Sequence, residues 1–212
     1  MTQPRPWILF DIGGVLELVE DGIWQEELAN RWATRAGLTR AEYDERLAVA
    51  DLPRIDVEQG AAEAYWSGFA RALGFTDVQR EEAVQELWDA YCGEANVELI
   101  EYARSLRGRA GVAILSNSAD GAREEEERRH GFSAVFDPIC YSHEIGANKP
   151  DPEAYEAALR AMRSAPERVF FIDDRQQQID GAARVGIRGI VHRDNATTVA
   201  AVEEFLTAAT GS

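Results

Sequence analysis

Three short apolar runs in this chain stop at residues that can do chemistry. Trp7 to Phe10 ends at Asp11, ahead of Gly13-Gly14; Gly111 to Leu115 ends at Ser116-Asn117-Ser118; Val169 to Ile172 ends at Asp173-Asp174. A fourth reactive group, Lys149, lies in a polar stretch between the second and third runs. A carboxylate can attack phosphorus and carry the phosphoryl group as an aspartyl-phosphate. Magnesium takes one or two carboxylates plus substrate oxygens. A lysine and a hydroxyl can clamp the remaining phosphoryl oxygens. Asp11, Ser116, Lys149 and the Asp173-Asp174 pair are the parts that such phosphate-ester chemistry needs.

The elements that must position these groups follow from pattern. An apolar run entering a tight turn reads as a buried strand. The second half alternates such runs with helices, which implies a parallel sheet. Ligand sites in open parallel sheets lie beyond the carboxyl ends of the strands, so the three strand ends are expected to converge on one crevice. The predicted helices include Val97 to Leu106, a start at Asp151-Pro152-Glu153, one ending at Val185 and a last one to about Ala208. Ile187 to Val191 reads as a further strand, and Val135 to Tyr141 as a short strand or two. The run Glu124 to Glu127 reads as a solvated helix face.

Ile23 to Tyr91 differs from its flanks. It is rich in Ala, Glu, Arg, Trp and Leu at helical spacing and holds no strand-like run. Thr39 with Glu42, and Thr76 with Gln79, fit capping boxes, and each follows a glycine able to end the previous helix. Three or four helices are predicted here. The expected fold class is α/β, a Rossmann-like parallel sheet with a helical insertion over 18–92 between core segments 1–17 and 93–212. Trp24, Trp32, Tyr65, Trp66 and Trp88 are expected to be core aromatics first.

The chain has 212 residues, 45% of them hydrophobic, and a net charge of −16. The acidity argues against nucleic acid and anionic membranes as partners. A small anionic substrate remains compatible, because one metal ion and one lysine reverse the sign locally. No stretch approaches the ~20 apolar residues of a membrane span, and Met1 to Pro6 does not read as a leader. Cys92 and Cys140 lack metal-ligand spacing and read as buried thiols of a reducing compartment. The expectation is a soluble, cytoplasmic protein, either monomer or homodimer.

Taken in order, FDIGGVL (Phe10 to Leu16), ILSNS (Ile114 to Ser118), Lys149 in IGANKPDPEAY, and FFIDD (Phe170 to Asp174) resemble the four motifs of the haloacid dehalogenase superfamily. The resemblance spans nearly the whole chain, and the segment 18–92 is similar to the small helical cap of the first subfamily. It implies a phosphatase using Mg2+ on a small phosphorylated substrate, with Asp11 as nucleophile and metal ligand. The backbone carbonyl of Gly13 would also reach the metal. Asp174 would be the principal ligand of the fourth motif, with Asp173 sharing the metal or supporting it. Ser116 would hydrogen-bond the phosphoryl group, Lys149 would neutralise it and hold Asp11, and Asn117 would line the pocket.

Gly13 departs from the pattern. Most phosphatases of the superfamily carry there a second aspartate that protonates the leaving oxygen and later activates water. Glycine can do neither. The chain resembles the subset whose first motif reads FD-x-G-[NG]-V, which lacks that acid and whose relatives include sugar-phosphate phosphatases. Asp120, His143 and Glu144 are substitute proton carriers in motif position only, and His143 reads first as a structural histidine. Two alternatives stand beside the phosphatase. One is a 2-haloacid dehalogenase, which uses the aspartate without metal and has no need of the Asp173-Asp174 pair. The other is a binding or regulatory protein on the same scaffold.

Overall fold

A computed structural model describes residues 5–19 and 22–210 of the protein. Residues 1–4 of the stretch read for a leader lie outside the described residues, as do residues 20 and 21 of the predicted insertion. In chain order the elements are β1 (Trp7–Phe10), β2 (Glu17–Leu18), α1 (Ile23–Arg35), α2 (Arg40–Ala48), α3 (Ala62–Leu73), α4 (Asp77–Tyr91) and β3 (Glu94–Ala95). Then come α5 (Val97–Ser105), β4 (Gly111–Ser116), α6 (Ala122–His130), β5 (Ile139–Tyr141) and α7 (Ser142–Ile145). The chain continues with α8 (Pro152–Met162), β6 (Val169–Asp173), α9 (Gln176–Arg184), β7 (Arg188–Val191) and α10 (Asn195–Thr210).

Five strands form one sheet in the order β5-β4-β1-β6-β7, every pairing parallel. A parallel sheet is covered on both faces, so its strands read as continuous apolar runs rather than alternating ones. The side chains still alternate. Ile8 and Phe10 face one core with Ile114, Leu99, Val202 and Phe205; Leu9 faces the other with Leu115, Phe171, Tyr155 and Ile179. Successive core strands run outward from β1 to β4 and β5, then return to β6 and β7 on its other side. The carboxyl end of β1 therefore stands at the topological switch point, where a crevice opens.

Helices α1 to α4 have an apolar core of their own. Thr39 and Thr76 form the capping boxes read from the sequence, each side chain accepting from the backbone N–H three residues on. Gly74 ends α3 with φ 72°, a left-handed conformation that suits glycine. Asp151 starts α8 with Pro152 in its first turn, but no side-chain cap bond forms. On α3, Trp66, Phe69, Ala70 and Leu73 make one buried stripe. Phe69 is 1% exposed, and the rings of Trp32, Tyr43, Tyr65, Trp66 and Phe75 surround it at 5.2 to 6.5 Å. Where the chain leaves and re-enters the core, β2 and β3 pair antiparallel as a two-stranded ribbon. Among the described residues no helix is long and apolar enough to cross a membrane.

The ring cluster predicts that Phe69→Ala costs about 3–5 kcal/mol of unfolding free energy, the range for an emptied aromatic core position. Denaturant unfolding followed by far-UV circular dichroism reads this; a loss below about 1 kcal/mol would remove Phe69 as the keystone of the helical unit.

Candidate active site

Strands β4, β1 and β6 are neighbours, so Ser116, Asp11 and Asp173 emerge side by side at one edge of the sheet. The Asp11 N–H donates to the Ile172 carbonyl at 2.9 Å, which extends the β1–β6 ladder into the turn. The Ile12 N–H donates to Asp11 Oδ1 at 2.8 Å. Lys149 arrives from the loop after α7 and is anchored at both ends of its peptide unit. Its N–H donates to Asn117 Oδ1 at 2.7 Å, and its carbonyl accepts from Asn117 Nδ2 at 2.9 Å. From there Nζ reaches Asp11 Oδ1 and Asp173 Oδ2, each at 2.7 Å. The lysine side chain is 1% exposed, Asp173 is fully buried and Asp11 is 13% exposed. The other oxygen of Asp173 accepts from the Arg175 N–H at 2.9 Å.

Burial, and next the charge of Asp173, push the Asp11 carboxyl well above its usual value, against the pull of Lys149. Burial alone would lower Lys149, but the charges of Asp11 and Asp173 outweigh it and hold the ammonium above its usual value. The lysine is therefore held as a cation among the carboxyl groups. Asp11, Asp173 and Asp174 offer oxygens that all lie within 4.8 Å of one another. An all-oxygen donor set fits a hard divalent cation. Gly14 makes room for this arrangement. Its φ is 73°, and a Cβ there would lie 2.6 Å from Asp174 Oδ2.

A family model of haloacid dehalogenase-like hydrolases matches residues 6–186. The chain belongs to the haloacid dehalogenase-like hydrolases. A phosphoserine phosphatase from Thermus thermophilus is 31% identical over 144 residues, 61% of this chain and 57% of that protein. The chain thus spans little more than half the length of that relative. The phosphatase MT3486 of Mycobacterium tuberculosis is 27% identical over 194 residues, covering 79% of this chain and 86% of that one. The crystal structure of the HAD family enzyme bt-2542 from Bacteroides thetaiotaomicron superposes with a TM-score of 0.70 at 20% identity, covering 90% and 95% of the two chains. That likeness carries the fold.

Gly13, Ser116, Asn117 and Lys149 line one small cavity with Asp11. Ser116 is buried, and its hydroxyl donates to the Asn117 carbonyl at 3.3 Å. The proton carriers suggested by motif position are engaged elsewhere. Asp120 Oδ2 accepts from the Ala62 N–H at 2.8 Å, Glu144 pairs with Arg123 at 2.5 Å, and His143 Nδ1 bonds the buried Ser118 hydroxyl at 2.7 Å. None of the three is among the residues lining the cavity. His143 is the structural histidine that the sequence favoured, and burial lowers its pKa.

Two acids that the sequence did not flag do line the cavity, Glu17 and Glu126, 1% and 0% exposed. Glu126 corrects the expectation of a solvated Glu124–Glu127 face. On α6 it falls one turn after Ala122, and these two are the buried residues of that helix. Four glutamates in succession show no periodicity, so their sequence could not reveal which one turns inward. The Tyr141 hydroxyl donates to Glu126, and His130 Nε2 stands 3.0 Å from Glu17. Burial, and next the charge of Glu17, push the Glu126 carboxyl well up.

A carboxyl raised by folding binds its proton more tightly in the native than in the unfolded chain. Wild-type stability is then full below the unfolded value near 4.3 and declines as pH rises toward the folded value. Glu126→Gln has no proton to lose there, so its melting temperature relative to wild type should rise as pH climbs above about 4.3. Parallel pH profiles would show Glu126 uninvolved. Gly14→Ala forces a side chain into the left-handed region and against Asp174, and is expected to cost about 1–3 kcal/mol. Thermal unfolding measures that loss, and an unchanged midpoint would refute it.

Proposed function

We propose that the protein is a magnesium-dependent phosphohydrolase acting on small phosphorylated metabolites through an aspartyl-phosphate on Asp11. The observation that carries this reading is the cluster of Asp11, Lys149, Asp173 and Asp174 at the switch point of a haloacid dehalogenase-like fold. The phosphatase names of the Thermus and Mycobacterium relatives support the reaction class. A bound Mg2+ would supply electrostatic stabilisation of the phosphoryl oxygens. Asp11 and Asp174 would hold it with the Gly13 carbonyl. Asp173 has both oxygens engaged by Lys149 and the Arg175 N–H, and so acts chiefly by positioning the lysine.

Asp11 bonds to phosphorus as the ester P–O bond breaks, and the departing alkoxide takes its proton from solvent water, since Gly13 offers none. Water then attacks the aspartyl-phosphate, releasing phosphate and restoring the carboxylate. Ser116 presents its hydroxyl to the phosphoryl group, Asn117 lines the pocket while its amide holds the Lys149 backbone, and Lys149 offsets the phosphoryl charge. Lys149 also fixes Asp11 on one oxygen, so the nucleophile is oriented before substrate arrives. Segment 18–92 is a cap domain over the core of 1–17 and 93–212, and the ribbon of β2 and β3 is its stem. The setting is the cytoplasm.

Phosphate release from a panel of phosphomonoesters tests the proposal. Activity should need Mg2+, disappear with chelator and return when the metal is restored. Asp11→Asn should lower kcat by about 10³-fold or more while the fold persists by circular dichroism. Halide release from 2-haloacids with chelator present would establish the dehalogenase instead. A biological role left intact by Asp11→Asn would establish a binding protein.

A further inference from the structure

A crevice of about 490 Å³ opens between the helical unit and the sheet edge. It shares Asn117, Lys149, Arg175 and Tyr91 with the small cavity around Asp11. A phosphoryl group at Asp11 would therefore project its alcohol into this crevice. Five aromatic rings line it, those of Trp24, Trp32, Tyr65, Trp66 and Tyr91, joined by Ile55 and Leu87.

These rings are held in place before any ligand binds. Trp66 meets Tyr65 edge-on at 5.2 Å and Trp32 at 6.2 Å, with interplanar angles of 88°. Trp24 meets Tyr91 at 6.0 Å and 83°. Trp32 and Trp66 are 7% and 6% exposed, so each has its body in the helical core. Aromatic surfaces presented this way favour flat partners through face and edge contacts.

Several polar groups along the crevice are committed within the protein, while Gln25 and Arg175 also line it. The Trp32 indole N–H donates to Glu86 at 2.7 Å. Asp56 Oδ2 accepts from Arg54 at 2.7 Å and Asn148 at 2.6 Å. Both ends of the Asn117 amide hold the Lys149 backbone, and the Ser118 hydroxyl is bonded to His143. A polyhydroxylated chain entering this space would give up hydrogen bonds to water and recover only part of them, chiefly at Gln25 and Arg175. Each hydroxyl left without a partner costs binding free energy. A ring loses little and gains the aromatic walls.

We infer that the alcohol of the preferred substrate carries an aromatic ring, seated among Trp24, Trp32, Tyr65, Trp66 and Tyr91, and is not a polyol. This rests on the phosphohydrolase reading and narrows its substrate class.

The test compares 2-(2-naphthyl)ethyl phosphate with a hexitol 6-phosphate in Mg2+. Both are esters of primary alcohols, so their ratio reports recognition more than leaving-group reactivity. A kcat/KM at least tenfold higher for the naphthyl ester supports the inference, with the advantage shrinking in Tyr65→Ala mainly through KM. Equal or better use of the hexitol ester overturns it and leaves the phosphohydrolase reading standing. If no phosphomonoester is hydrolysed, that reading fails, and calorimetry with the two corresponding phosphonates decides the inference alone. At least tenfold tighter binding of the naphthyl phosphonate supports it; equal or absent binding overturns it.

Discussion

The Lys149 ammonium is the interaction on which the site depends. Parallel pairing of β1 and β6 sets Asp11 and Asp173 at adjacent strand ends, where both carboxylates are withdrawn from water. Charges buried without partners cost several kcal/mol each even after relaxation. A single cation within 2.7 Å of both removes most of that penalty. The lysine is in turn held by Asn117, which follows β4. Lys149 thus ties two strand ends through its ammonium and a third through its backbone, and fixes the orientation of the proposed nucleophile. With Asp174 beside them, the three carboxyl groups form an all-oxygen donor set suited to a hard divalent cation.

Around that cluster the topology does the rest. Strand order reverses at β1, and the chain departs from the sheet there to build α1 to α4 before it returns. Departure and return run side by side through β2 and β3, which brings the aromatic helices over the same sheet edge. The carboxylates and the lysine come from the core, and the crevice has core residues on one side and the aromatic side chains of the helical unit on the other. In the proposed reading, the core carries the chemistry and the helical unit adds the aromatic part of recognition.

Much of the site was legible in the sequence because it is written at interruptions. Asp11, Ser116 and the Asp173-Asp174 pair each terminate an apolar run, and a buried parallel strand announces itself by such a run. Lys149 carried no such local signal and was legible chiefly through family resemblance. The capping boxes at Thr39 and Thr76 were legible because capping is local chemistry among four residues. Glu17 and Glu126 were not legible. Each looks like an ordinary surface glutamate, and only the packing of β2 against the return strand and of α6 against the sheet takes them inside. Trp32 and Trp66 were read as core and are core, but their remaining surface also lines the crevice. A side chain that serves both purposes has one periodicity, so the second use is silent in sequence.

By itself, then, the sequence determined the α/β class, the inserted helices, the reactive groups and the glycine that stands where an acid is usual. These depend on period, local capping and residue type, which act over a few residues. Only the tertiary structure decided that one lysine bridges Asp11 and Asp173, that Glu126 turns inward, and that Asp120, His143 and Glu144 are engaged away from the cavity. Those outcomes depend on contacts between residues far apart in the chain, 138 positions for Lys149 and Asp11. Long-range burial and charge pairing are properties of the assembled core, and no local pattern encodes them.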